Sequence, residues 1–335
     1  MKPCLAKKPM TSIRSFSHAL VIAAVGLAGC ASQRPLPDDG FVDVPGGRVA
    51  FRVIGGGGSV PVLLIHGGPG GTSCAYASTV DGIASSRPVV LYDQLGSGNS
   101  DRMLDLKRDA VLPRFVMEVQ AIREQLHLKE VHLVGHSWGA TVALEYLLTA
   151  NPTGVRSVSF VGPLLSTRRW VEDANELVRQ LPQDAQDAIR AAKSTGNYDT
   201  PRFKAANEIF EANFGARTPR EQRHLPVCAS TPVRFNAQLY EYMWGPSEFV
   251  ANGTLRDYDR FAQLSTLKLP TLFLVGEYDE ARPDTAREFQ AQVPGAIVKV
   301  IAGAGHSVTI DQTAAFNAAI AEFILGAEKV RPGSD

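Results

Sequence analysis

Gly135-His136-Ser137-Trp138-Gly139 follows a short apolar run, Val131 to Val134, and precedes Ala140 to Ala150, whose apolar residues recur at helical spacing. Strand, sharp turn and helix with a serine at the apex is an arrangement that lifts a hydroxyl above a sheet. The flanking glycines serve it, because side chains there would collide with the neighbouring strand or helix. A serine hydroxyl is a weak nucleophile until a base takes its proton, and the base needs an orienting acid. Two later segments offer them. Gly276-Glu277-Tyr278-Asp279 follows the apolar run Thr271 to Val275, and Gly303-Ala304-Gly305-His306 follows Ile297 to Ile301. His306 is the only histidine after His224. Taken singly, these residues read as a Gly-Ser turn, a helix cap and a surface histidine; taken together they read as a nucleophile, an acid and a base for acyl transfer.

The tetrahedral intermediate of acyl transfer needs N–H donors aimed at its oxyanion. One is expected from the backbone of Trp138, the residue after the nucleophile. The other is expected from Gly68 in His66-Gly67-Gly68-Pro69-Gly70, where glycines let backbone approach substrate closely. His66 is read as a brace for that loop, and His136 as a packing or hydrogen-bonding residue. No His, Cys, Asp or Glu spacing suggests a metal site, and no cofactor is expected.

The elements that must position these groups read as an α/β fold. Phe41–Val44 and Arg48–Ile54 alternate like an antiparallel hairpin. Gly55 to Gly58 are expected to form a loose hairpin turn; they lack the spacing of a phosphate cradle. Buried strands are expected at 61–65, 89–92, 131–134, 156–161, 269–276 and 296–301, with helices near 111–127, after Ser137 and near 312–326. Apolar strands alternating with helices indicate a mostly parallel sheet covered on both faces. Between about 162 and 265 the pattern changes to amphipathic helices, at 170–180, 183–193 and 202–214, with no strand strong enough to join the sheet. The expected organisation is a core of 41–161 and 266–328 interrupted by a helical cap of 162–265.

The chain has 335 residues, 44% hydrophobic, and equal numbers of acidic and basic residues, 34 of each. That balance excludes an electrostatic nucleic-acid binder. No apolar run reaches the length of an ordinary transmembrane helix. The N-terminus reads as an export signal over 1–29: Lys2, Lys7, Lys8 and Arg14 precede a short apolar stretch, Ala19 to Leu27. Leu27-Ala28-Gly29-Cys30 resembles the lipobox of bacterial lipoproteins, which implies cleavage before Cys30, its lipidation, and anchoring to a membrane. Residues 30–40 would form a tether. Ala31-Ser32, with no Asp after the cysteine, implies the periplasmic side of an outer membrane rather than an inner one. Of the remaining cysteines, Cys74 and Cys228 can pair in an oxidising compartment, but nothing in the sequence places them together.

A narrower resemblance rests on His66-Gly67-Gly68-Pro69-Gly70, Asp93-Gln94-Leu95-Gly96-Ser97-Gly98-Asn99-Ser100, Gly135 to Gly139, and Gly276-Glu277-Tyr278-Asp279-Glu280-Ala281-Arg282-Pro283. Gly245 to Phe249 and Gly253 to Asp259 extend it into the insertion. These segments resemble the proline iminopeptidases, serine aminopeptidases of the α/β-hydrolase fold that include the tricorn-associated aminopeptidase. His136 departs from the glycine many members carry there. The resemblance implies that Glu248 and Glu280 hold the free amine of the substrate. It implies a lipid-anchored aminopeptidase that releases an N-terminal residue, preferably proline, from short peptides. An amino-acid amide or ester hydrolase, or a carboxylesterase, shares the same machinery. A non-catalytic ligand-binding lipoprotein is the alternative from another class.

Overall fold

The computed structural model describes residues 36–103, 105–223 and 235–329. The export signal, Cys30 and most of the tether lie outside these residues, as does Cys228.

Eight strands form one sheet: β1 Asp39–Val44, β2 Gly47–Ile54, β3 Val62–Ile65, β4 Val89–Tyr92, β5 Val131–His136, β6 Val155–Val161, β7 Thr271–Gly276 and β8 Ile297–Ile301. Their order is β1-β2-β4-β3-β5-β6-β7-β8. The first two pairings are antiparallel and the rest parallel. β1 and β2 make the expected hairpin. Gly55 to Gly58 do not: they join β2 to β3, and β4 lies between those strands. The chain skips one position because β4 pairs with β2 on one side and with β3 on the other.

Every residue of β3, Val-Leu-Leu-Ile, is buried, because helices cover both sides of the sheet. Leu63 and Ile65 join a core with Phe115, Val119, Val142 and Phe289 from the helices Leu112–Gln125, Trp138–Thr149 and Pro283–Gln292. Val62 and Leu64 face the other way, against Ile83, Phe316 and Ile320 from the helices Asp81–Ala84 and Thr313–Lys329. Alternate side chains of one strand thus feed two cores.

Between β6 and β7 the described residues contribute helices and turns and no strand to the sheet. The helix Thr167–Val178 starts where the Ser166 side chain accepts the Arg169 N–H, and Pro201–Phe210 where Thr200 caps the Phe203 N–H. With Gln183–Thr195 these helices bury Leu177, Ile189, Phe203 and Phe210 in a core of their own. The last of them runs into a single π-helical turn, Glu211–Gly215. Cys74, in the short 3-10 turn Ser73–Tyr76, is disulfide-bonded, a bond the sequence did not predict.

All the segments with candidate chemistry leave the sheet at the carboxyl ends of parallel strands: His66–Gly71 after β3, Ser137 after β5, Gly162 after β6, Asp279 after β7 and His306 after β8. Ligands of open α/β sheets bind at that end.

Candidate active site

Ser137 sits at φ 55°, ψ −121°, outside the regions that residues with a side chain prefer. Its surroundings enforce this. A Cβ on Gly135 would strike the Gly139 carbonyl, and one on Gly139 would strike the Ile65 carbonyl. The Ser137 N–H donates to the Val161 carbonyl of β6 at 2.8 Å. Its hydroxyl makes no capping bond to the helix Trp138–Thr149, whose N-terminal end abuts it.

His306 and Asp279 meet as expected. The Nδ1 atom of His306 lies 2.8 Å from Oδ1 of Asp279. A carboxylate accepts, so Nδ1 carries the hydrogen and Nε2 keeps a lone pair for a proton. Asp279 is buried, and it is oriented by the N–H groups of Ala281 at 2.8 Å and Gly276 at 3.2 Å. Burial lowers the pKa of His306. The charge and hydrogen bond of Asp279, with Glu248 and Glu211 farther off, outweigh burial and hold it above the ordinary value.

His306 is held at three further points. Its N–H donates to the Phe214 carbonyl and that of Ser307 to the Gly215 carbonyl, both at 2.8 Å. Its own carbonyl lies 3.0 Å from Nε2 of His136. Asp311 ties the same loop to the insertion, accepting from Gly305 at 2.9 Å, Arg217 at 3.1 Å and Thr218 at 2.7 Å.

The glycine loop is braced as the sequence suggested. His66 Nδ1–H donates to the Gly67 carbonyl at 2.7 Å, and Nε2 accepts the Gln94 N–H at 3.0 Å. Gln94 donates to the His66 carbonyl at 2.8 Å and accepts from the Trp138 indole at 2.8 Å. The side chain of Gln94 therefore links the two segments expected to supply oxyanion donors. Trp138 is wholly buried against Phe115.

Ser137, His306, Gly67 and Gly68 line a cleft of about 1080 Å³ under the insertion. The same cleft is lined by Glu248 and Glu280, and by Glu211, which sequence reasoning passed over. Glu280 is 3% exposed, and its Oε1 lies 3.7 Å from His306 Nε2. Burial, then the charges of Glu248, Glu211 and Asp279, push its carboxyl well above the usual range. Burial likewise raises Glu248, whose Oε1 accepts the Tyr240 hydroxyl. Burial and the neighbouring Glu248 raise Glu211 to about 7. Among the described residues, none of the three is ion-paired to a lysine or arginine, and Glu280 Oε2 has no hydrogen-bond partner. Arg220 lines the same cleft, and it and Arg223 only partly offset the rise at Glu211. Buried acids without a direct ion pair are costly, and a cation entering the cleft relieves that cost.

Of the aromatic side chains in the insertion, Tyr198, Phe235 and Tyr240 line the cleft. Phe210 and Phe214 pack inside the insertion and Trp244 in the main core, so these three are packing residues.

Residues 60–313 match the family model of the alpha/beta hydrolase fold. A proline iminopeptidase of Heyndrickxia coagulans is 40% identical over 288 residues, covering 85% of this chain and 98% of that protein. One from Lactobacillus delbrueckii subsp. lactis is 34% identical over 79% of this chain and 90% of that protein. Among solved structures, the proline iminopeptidase of Mycobacterium smegmatis superposes with a TM-score of 0.77 at 27% identity, over 87% of this chain and 99% of that one. With this fold, this serine elbow and these relatives, the chain belongs to the alpha/beta hydrolases and, within them, to the proline iminopeptidase family.

Proposed function

We propose that the protein is a serine aminopeptidase that removes an N-terminal residue, proline before others, from short peptides. The observation that carries this reading is the trio Glu211, Glu248 and Glu280 in the cleft that Ser137 and His306 line, none of them ion-paired to a lysine or arginine among the described residues. An exopeptidase must reward a charged terminus and reject an internal peptide bond. Carboxylates in a confined cleft do both, since charged hydrogen bonds contribute about 1.5–3 kcal/mol each.

The ammonium of the substrate settles among the three glutamates, which sets the first carbonyl against Ser137. As Ser137 Oγ attacks, His306 Nε2 takes its proton and Asp279 steadies the imidazolium. The N–H groups of Gly68 and Trp138 hold the oxyanion. His306 then returns the proton to the departing amine, leaving an aminoacyl ester on Ser137. Water, activated by the same imidazole, cleaves that ester and frees the amino acid. These steps use side chains, two backbone N–H groups and water.

We further propose that the protein is exported and anchored through a lipid on Cys30, on the periplasmic face of an outer membrane. This rests on the basic N-terminus, the apolar stretch Ala19 to Leu27 and Leu-Ala-Gly-Cys. Replacing Cys30 with serine should release the protein from the membrane fraction; unchanged partitioning would refute the anchor.

The activity is tested by comparing prolyl-anilide with N-acetyl-prolyl-anilide. Preference for the free amine by about 100-fold or more is expected. Equal cleavage of both would remove the amine-binding role and leave an amidase or esterase.

A further inference from the structure

We propose that His136, the residue before the nucleophile, is a positioning residue that fixes the base loop to the elbow, with Tyr76 as its anchor.

The ring of His136 touches the moving parts of the reaction on three sides. Nε2 lies 3.0 Å from the carbonyl oxygen of His306, and Nδ1 lies 2.8 Å from the hydroxyl of Tyr76. Its ring centroid is 4.7 Å from that of His306, tilted by 37°. A Cβ on Gly67, in the oxyanion loop, would sit 3.1 Å from its Nδ1. Elbow, base loop and oxyanion loop thus converge on one imidazole.

The chemistry of the partners assigns the tautomer. A carbonyl only accepts, so Nε2 carries the hydrogen, and Nδ1 accepts from the Tyr76 hydroxyl. Both nitrogens are engaged, so His136 is no rival base for the Ser137 proton. Burial and the nearby His306 lower its pKa to about 3, and burial raises that of Tyr76. Each keeps its hydrogen-bonding form across the working range. The other titratable groups around His306 are Asp279, Glu280, Glu248 and Glu211, all acidic, and His66 faces His136 in its neutral form.

The consequence is mechanical. His306 must hold Nε2 toward Ser137 while its charge changes during the cycle. Asp279 fixes the far nitrogen of the ring and Phe214 the backbone N–H; His136 fixes the remaining backbone group. Without His136 the loop loses its only tie to the elbow among these three.

The proposal rests on Ser137 and His306 acting as nucleophile and base, and the test separates the two ideas. His136→Leu, His136→Gln and Tyr76→Phe would be assayed on prolyl-anilide and on p-nitrophenyl acetate, with pH profiles. Leucine removes both bonds; glutamine replaces both, donating through its amide nitrogen and accepting through its oxygen. His136→Leu should lower kcat about 10- to 100-fold on either substrate, with KM held within about twofold. It should also shift the acid limb of kcat/KM, and His136→Gln should restore most of the rate. Wild-type kcat with an unmoved acid limb in His136→Leu would overturn the proposal. So would a loss that glutamine does not rescue. If the leucine variant does not fold, Tyr76→Phe decides: a severalfold drop in kcat at constant KM supports the anchor, and an unchanged kcat overturns it. Should the wild type cleave the ester but not prolyl-anilide, the aminopeptidase reading falls while the ester assays still judge His136.

Discussion

The backbone N–H of His306 donates to the carbonyl of Phe214 at 2.8 Å, so the loop bearing the imidazole is bonded to the insertion that covers it. Phe214 belongs to the π-helical turn that begins at Glu211. One turn therefore carries an acid of the cleft on its first residue and supports the base from its fourth. π-Turns of this sort recur at functional sites because the extra residue redirects side chains.

Removal of the nucleophile is the first check. Ser137→Ala should lower turnover of prolyl-anilide by about 10⁴-fold or more and abolish labelling by a fluorophosphonate. Activity retained in that variant would sink the whole scheme. Ser137→Gly should be equally inactive but should melt at a higher temperature than Ser137→Ala, because glycine adopts this φ and ψ without strain.

Glu211 gives opposite effects on stability and activity. Its pKa rises from 4.5 to about 7 on folding, so the folded state holds the proton more tightly. The stability this confers is complete below about pH 4.5 and is lost as the pH rises through about 7. Glu211→Gln should therefore melt higher than the wild type at pH 8 and alike near pH 4.5. Substrate binding runs the other way, since an ionised Glu211 holds the ammonium. KM for prolyl-anilide should fall as the pH rises from 5.5 to 7.5 in the wild type. In the variant it should be higher and flatter; coincident profiles would remove Glu211 from recognition.

Asp311 joins the His306 loop to the insertion with three backbone N–H groups on one carboxylate. Asp311→Ala should lower kcat/KM for prolyl-anilide by about tenfold or more, since it strands those donors. Asp311→Asn turns one acceptor into a donor facing N–H groups and should be no better. Wild-type kinetics in both would show that the tie has no part in turnover.

Gly162 is the fourth site to probe. A Cβ there would lie 2.7 Å from His306 Nδ1 and 3.2 Å from Asp279 Oδ2, and its φ of +49° disfavours a side chain. Gly162→Ala should wedge the acid–base pair apart and reduce kcat at least tenfold while the sheet stays folded. Circular dichroism alongside kinetics separates the two effects; an unimpaired kcat would mean the pair accommodates the methyl group.

Legibility in the sequence followed the range of the interactions. The elbow is local, spelled by Gly135, Ser137 and Gly139 within five residues, and His306 had no competitor downstream of His224. Asp279 and His306 each lie in the loop that follows a strand, so alternation of strands and helices was enough to bring them to one edge. Glu211 was hidden because Glu-Ala-Asn-Phe-Gly continues an amphipathic helix without a break in pattern; only the π-turn brings it to the cleft. Asp311 was hidden because its partner Arg217 is 94 residues away and offers only a backbone N–H, which no side-chain pattern reveals. The glycines at 55–58 misled for a topological reason. A flexible link between two strands is the same string whether the strands pair or, as here, admit a third between them.

The angles at Ser137 bear on how such a protein ages over generations. A residue with a side chain held at φ 55°, ψ −121° costs about 1–3 kcal/mol of folding free energy, whereas glycine is at ease there. Selection for a sturdier protein and selection for turnover thus pull on this one codon in opposite directions, and only the reaction retains the serine. In a lineage that no longer needed the reaction, glycine would be favoured at 137 while Asp279 and His306 lingered. A relative with an intact acid and base but a glycine at the apex would be the fossil of a lost enzyme.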